Sequence, residues 1–211
     1  MNEALKIKYQ KPLEEFIEKN KDKIKSEEIE KYQNLFKELW ADITLQQKLY
    51  EYISEKYEDK EFWDSISKYQ SLSEEFIEKF QDKVNWVSIS RYQNLSEEFI
   101  EKFENKVNWY NISKHQKLSE KFIEKFQDKV HWNYISQHQN LAEEFIEKFQ
   151  NKVNWCCISE CQKLSERFIK KFQNEMDWWF ISECQRLSED FRNKFNPHLG
   201  VKTISDLVKT T

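Results

Sequence analysis

The sequence predicts an all-α solenoid, a stack of two-helix hairpins with a 23-residue period. Three observations carry this expectation. Tryptophan returns at Trp40, Trp63, Trp86, Trp109, Trp132, Trp155 and Trp178, each 23 residues after the last. A fixed period of this length marks supersecondary units that stack on one another. Two phenylalanine columns keep the same register, thirteen and seventeen positions after each Trp from Trp63 onward, as in Phe122 and Phe126. Finally, 211 residues contain one glycine, Gly200, and two prolines, Pro12 and Pro197. Glycine and proline punctuate turns and sheet corners, so a chain this poor in them is expected to be helical almost throughout.

Each repeat divides into two helices. Counting from the Trp as zero, helix A starts at the Trp, behind an N-cap type such as Asn85, Asn108, Asn154 or Asp177. Isoleucine follows at plus three, serine at plus four and glutamine at plus seven, as in Ile89, Ser90 and Gln93. At about 100° per residue these share one inward face with the Trp. Helix B starts after Ser73, Ser96, Ser119, Ser165 or Ser188, each a good N-cap followed by acidic residues that suit the helix dipole. Phe76, Ile77, Phe80 and Val84 form its apolar stripe, while Glu74, Glu75, Glu78 and Asp82 are expected to point away into solvent. Leu72 and Ile77 bracket the cap in the manner of a hydrophobic staple.

One hairpin cannot bury its aromatics alone; stacking on the next repeat does so. Residues 40–200 hold seven regular repeats, residues 1–39 hold degenerate copies, and residues 201–211 supply a capping helix in which Ile204 and Ser205 repeat the Ile-Ser pair. Terminal units that deviate are expected of a solenoid, so a single repeat domain over residues 1–211 is predicted.

Composition then excludes several function classes. The net charge is −4, with acids and bases interleaved, which leaves no basic footprint for nucleic acid. No apolar run approaches the roughly 20 residues of a membrane span. The opening MNEALKIKYQ has no signal-peptide core, and the four cysteines do not make a disulfide framework, so a cytoplasmic protein is expected. Nearly every Ser, Glu and His belongs to a repeated position, whereas an enzyme needs unique convergent groups, so no catalysis is expected.

The run WxxISxYQxLSEEFIEKFQDKVN, as in residues 63–85, resembles a helical repeat found in proteins of large DNA viruses of the mimivirus type and in phage-like reading frames. The resemblance covers residues 40–200 well and residues 1–39 poorly. It implies an α-helical repeat protein of viral origin and supplies no catalytic residue to carry over.

Three columns of side chains are candidates for function. The first is the glutamine ladder, Gln70 through Gln185, with its serines. Buried amides must be hydrogen-bonded, so these are expected to tie one repeat to the next through backbone groups. The sharper alternative is an amide ladder reading a single nucleic-acid strand. The second column, at plus six, runs Tyr69, Tyr92, His115, His138, Cys161, Cys184. With Cys157 it approaches a zinc-like ligand set, but the tyrosines point to a half-buried packing position, and neither a metal nor any cofactor is expected.

The third column is the outward face of helix A, where the repeats disagree. Candidate partner-binding residues are Arg91, Tyr110, Asn111, Lys114, Tyr134, Gln137, Glu160, Trp179, Phe180 and Glu183. Packing positions repeat because each unit has the same task, whereas outward positions are free to differ. Drift alone would favour polar side chains, yet Trp179, Phe180, Tyr110 and Tyr134 are aromatic types enriched at interface hot spots. The expected function is therefore a non-catalytic scaffold that binds a protein partner; a viral setting would make that partner a host factor to be sequestered or blocked. Single-stranded nucleic-acid binding through the Gln ladder and self-assembly are the alternatives.

Overall fold

The computed structural model describes residues 60–199, with side chains through Phe195. Twelve helices and no strand occur among these residues. The A helices are α1 (Lys60–Tyr69), α3 (Trp86–Tyr92), α5 (Trp109–His115), α7 (Trp132–His138), α9 (Trp155–Cys161) and α11 (Trp178–Cys184). The B helices are α2 (Glu74–Lys79), α4 (Glu97–Lys102), α6 (Glu120–Lys125), α8 (Glu143–Lys148), α10 (Glu166–Lys171) and α12 (Glu189–Leu199). This is the helical solenoid that the period predicts. The weak copies in residues 1–39, the repeat that begins at Trp40 and the cap in residues 201–211 lie outside the described residues.

The chain divides into two compact units, residues 1–111 and 112–211, and the division falls within α5. In the first unit α1 packs against α3; in the second α7 packs against α9, and α9 against α11.

The caps explain why helices this short form at all. Isolated helices of six or seven residues are unstable in water, so capping and packing must hold them. Asn85 accepts the N–H of Ser88, and Asn154 that of Cys157. Asp177 accepts from both Trp179 and Phe180. In helix B, Ser73, Ser96, Ser119 and Ser165 each accept the N–H three residues on. Ala142 and His131 occupy cap positions without a side-chain cap bond.

The core is built from the two isoleucines of each repeat. Ile89 and Ile100, or Ile135 and Ile146, are completely buried. The Phe pair stacks beside them: Phe99 and Phe103 lie 4.7 Å apart, with the Trp86 ring 6.3 and 5.1 Å away. The same triad recurs at Trp155, Phe168 and Phe172.

The tryptophan is less inward than its periodicity suggests. Trp63 is buried, but the repeat tryptophans from Trp86 to Trp178 are half-buried. Their indole N–H explains this. Trp86 donates to the Gln81 carbonyl at 2.8 Å, and Trp132 to that of Gln127 at 2.9 Å. An apolar body with one polar handle pins the turn between helix B and the next helix A to the aromatic core.

Helix B also departs from expectation. Glu74 is not simply solvated: its carboxylate accepts the backbone N–H and hydroxyl of Ser96, the cap of the following helix B. Glu143 does the same for Ser165. Glu78 pairs with Lys102, Glu147 with Lys171, and Asp82 with Lys106. These acids face along the stack, so each meets a donor one repeat later.

Candidate functional site

The glutamine ladder is a structural spine. Gln139 donates to the carbonyls of Gln116 and Ser113 at 2.8 and 3.2 Å, and its oxygen accepts from the Leu118 N–H at 3.0 Å. Gln93 makes the same three bonds to Gln70, Ser67 and Leu72. Helix A ends where the Gln backbone turns extended, and the amide crosses to the preceding repeat's A–B linker. The serines work in the opposite direction. Ser67 accepts the Asn85 N–H at 3.0 Å, and Ser136 that of Asn154 at 2.9 Å. Ser90 and Ser159 in turn donate their hydroxyls to the Trp carbonyl one turn earlier. With both ends of these amides bonded to backbone and the side chains buried, the ladder is turned away from any strand it could read.

The plus-six column is more exposed than a packing flank. Tyr69 is 41% and Tyr92 45% exposed, and His115, His138, Cys161 and Cys184 are exposed too. Plus two and plus six are one helical turn apart, which places them on the same outward face. Tyr134 shows this directly, stacking on His138 with centroids 5.9 Å apart. That spacing was available in the sequence, but a column mixing Tyr, His and Cys disguised it.

In the first unit the outward face of the A helices carries Lys68, Tyr69, Val87, Arg91, Tyr92 and Tyr110. Lys68 Nζ lies 4.7 Å from the Tyr69 ring centre and 5.9 Å from that of Tyr92. The Tyr69 phenol beside this ammonium raises its pKa above the ordinary lysine value. Arg91 lies 5.1 Å from the Tyr92 ring. Tyr110 is exposed.

Asn111 differs from the expectation. It is only 6% exposed, and its amide donates to the Val87 carbonyl at 3.1 Å. A short amide at plus two reaches the neighbouring A helix, so its side chain serves packing and is withdrawn from the surface.

In the second unit the outward face carries the remaining candidates. Lys114 is half-buried, with Nζ 5.1 Å from the Tyr134 ring. Gln137, Glu160 and Glu183 are exposed. Trp179 is 64% exposed and meets Phe180 edge to face, with centroids 4.8 Å apart. Plus one is not an idle position, however. Asn133 accepts from the Asn154 amide at 3.1 Å, as Asp64 does from Asn85 in the first unit at 2.7 Å. Part of the variation at plus one therefore adjusts the repeat-to-repeat contact.

The cysteines are free thiols, with Cys156, Cys161 and Cys184 exposed and Cys157 half-buried. Partial burial, then the Glu160 carboxylate, pushes the Cys161 thiol up, and Cys157 and Cys184 add to the effect. Among the described residues no group of three His, Cys, Asp or Glu is placed to hold a metal ion, and no helix is long and apolar enough to cross a membrane. No protein-family model, curated protein or solved structure matches the chain.

Proposed function

We propose that this chain is a non-catalytic repeat scaffold that binds a protein partner through the outward faces of its A helices. One observation carries the reading. Every large hydrophobic side chain that is exposed among the described residues, namely Tyr69, Val87, Tyr92, Tyr110 and Trp179, lies on an A helix. The B helices and the turns that follow them instead present Lys, Glu and Asp in repeat-to-repeat ion pairs. Exposed aromatics confined to A helices carry a solubility penalty that a partner would relieve. Tyr, Trp and Arg are also the side chains that dominate binding energy at interfaces. In the viral setting that the repeat resembles, the partner is a host protein that the scaffold sequesters or blocks in the cytoplasm; the free thiols suit that compartment.

The test is a pull-down from host lysate with mass spectrometry, followed by calorimetry on the recovered partner. Replacing Trp179 and Phe180 together by Ser should leave helicity and melting nearly intact. The same change should weaken binding by about 2 kcal/mol or more, the hot-spot scale. Replacing the exposed helix B residues Glu75 and Glu98 by Ala should do far less. Unaltered binding by the double variant would move the interface elsewhere. Binding that weakens steeply with salt and is displaced by single-stranded RNA would favour nucleic acid instead.

A further inference from the structure

The first and last described A helices carry opposite charges at one repeat position. Lys68 on α1 and Arg91 on α3 stand five residues after their tryptophans, and both are exposed. Glu160 on α9 and Glu183 on α11 occupy the same position and are equally exposed. Each pair is one 23-residue repeat apart, on A helices packed directly against each other. The repeat itself therefore gives the two cations and the two carboxylates the same spacing. Both ion pairs can form at once, in register, when one face meets the other. An unrelated acidic surface has no reason to offer that spacing.

The surroundings favour the same contact. The cations are held at the surface by rings, Lys68 over Tyr69 and Tyr92, and Arg91 over Tyr92. The carboxylate nearest in sequence, Asp64, is engaged with the Asn85 amide. The acidic face carries Trp179, 64% exposed, beside Glu183 on the same helix. Exposed ion pairs alone contribute little, so the aromatic area on both faces must supply much of the attraction.

We propose that the basic A-helix face of α1 and α3 in one molecule docks on the acidic A-helix face of α9 and α11 in a second copy of the chain. The inference rests on reading the A-helix faces as binding surfaces, and names a partner for them. Opposed patches of this kind steer association and set its register.

Sedimentation of the full chain, from dilute to concentrated and at low and high salt, tests it. The weight-average mass should rise from 26.1 kDa to twice that value and beyond with concentration at low salt, since a contact between two different faces leaves one of each free, and fall back as salt screens the pairs. Two charge reversals, K68E/R91E and E160K/E183K, should each weaken self-association by at least about tenfold, a change of roughly 1.4 kcal/mol. Circular dichroism should show both variants folded. Mixing them should restore association, because the reversed acidic face of one then meets the reversed basic face of the other. A wild type that stays monomeric throughout overturns the inference, as does association indifferent to both reversals or a mixture of folded variants that fails to recover. If the wild type is monomeric while the Trp179 and Phe180 double variant still loses a different protein, self-docking fails and the scaffold reading stands.

Discussion

The side-chain amide of Gln93 donates to the backbone carbonyl of Gln70 at 2.7 Å, so the equivalent residues of two successive repeats are joined by a hydrogen bond. The 23-residue period is thus itself a bonded contact. Gln139 to Gln116, Gln162 to Gln139 and Gln185 to Gln162 repeat it in the second unit. Each amide NH2 thereby satisfies carbonyls that the end of a helix A would otherwise leave unpaired, and its oxygen takes the N–H of the linker Leu.

Breaking one rung should be expensive. Gln139→Ala removes this amide from the buried Gln116 and Ser113 carbonyls and from the part-buried Leu118 N–H. Unsatisfied buried groups of this kind cost about 1–3 kcal/mol each, so a total near 3 kcal/mol is expected. Urea unfolding of the variant checks this. A loss below about 1 kcal/mol would mean that water replaces the amide and that the ladder contributes little.

The aromatic columns should behave as ordinary core. Phe122 is 5% exposed and lies 4.7 Å from Phe126. Truncation to Ala should destabilise by about 3–5 kcal/mol. Because each repeat contacts only its neighbours, hydrogen exchange should rise first in the repeats flanking Phe122. Uniform exchange across all repeats would show that the stack unfolds as one cooperative body.

Ala142 marks a vacant cap that can be filled. It replaces the serine found at the other helix B caps, and α8 has no side-chain cap bond. Its backbone N–H already meets Glu120 at 2.7 Å. Ala142→Ser should add the bond to the Phe145 N–H and raise stability by about 1 kcal/mol. Thermal melts compared with Ser165→Ala, which should lose a similar amount, provide the check. No gain at Ala142 would indicate that water already satisfies the Phe145 N–H.

The raised Cys161 pKa sets a direction for thiol chemistry. Partial burial and Glu160 hold the thiol above its ordinary range, so less thiolate exists at neutral pH. The fold thereby favours the neutral thiol. This contribution to stability is full below the ordinary thiol pKa and is lost as pH climbs through the raised value. In a chain whose other three cysteines are Ser, iodoacetamide should modify Cys161 more slowly than in the urea-unfolded chain, and Glu160→Gln should speed it. Equal rates folded and unfolded would refute the shift. Chelator should leave the melting temperature unchanged; one zinc per chain, lost in Cys161→Ser, would instead make this cluster a metal site.

Much of the architecture was legible because it is periodic. The Ile and Phe columns place the core, and Asn85, Asn154 and the serines from Ser73 to Ser165 place the helix starts, since caps and stripes are local consequences of residue type. Direction along the stack was not legible. Whether Glu74 meets water or Ser96, and whether Asn111 faces a partner or the Val87 carbonyl, depends on where the neighbouring repeat sits. Likewise Tyr69 and Tyr92 proved exposed although their column looked like packing. The amino-acid pattern determined the repeat, its two helices and its buried residues, because burial and helix propensity act within one unit. Only the tertiary structure decided which polar groups join consecutive repeats and which remain for a partner, because that choice is made between hairpins a whole period apart.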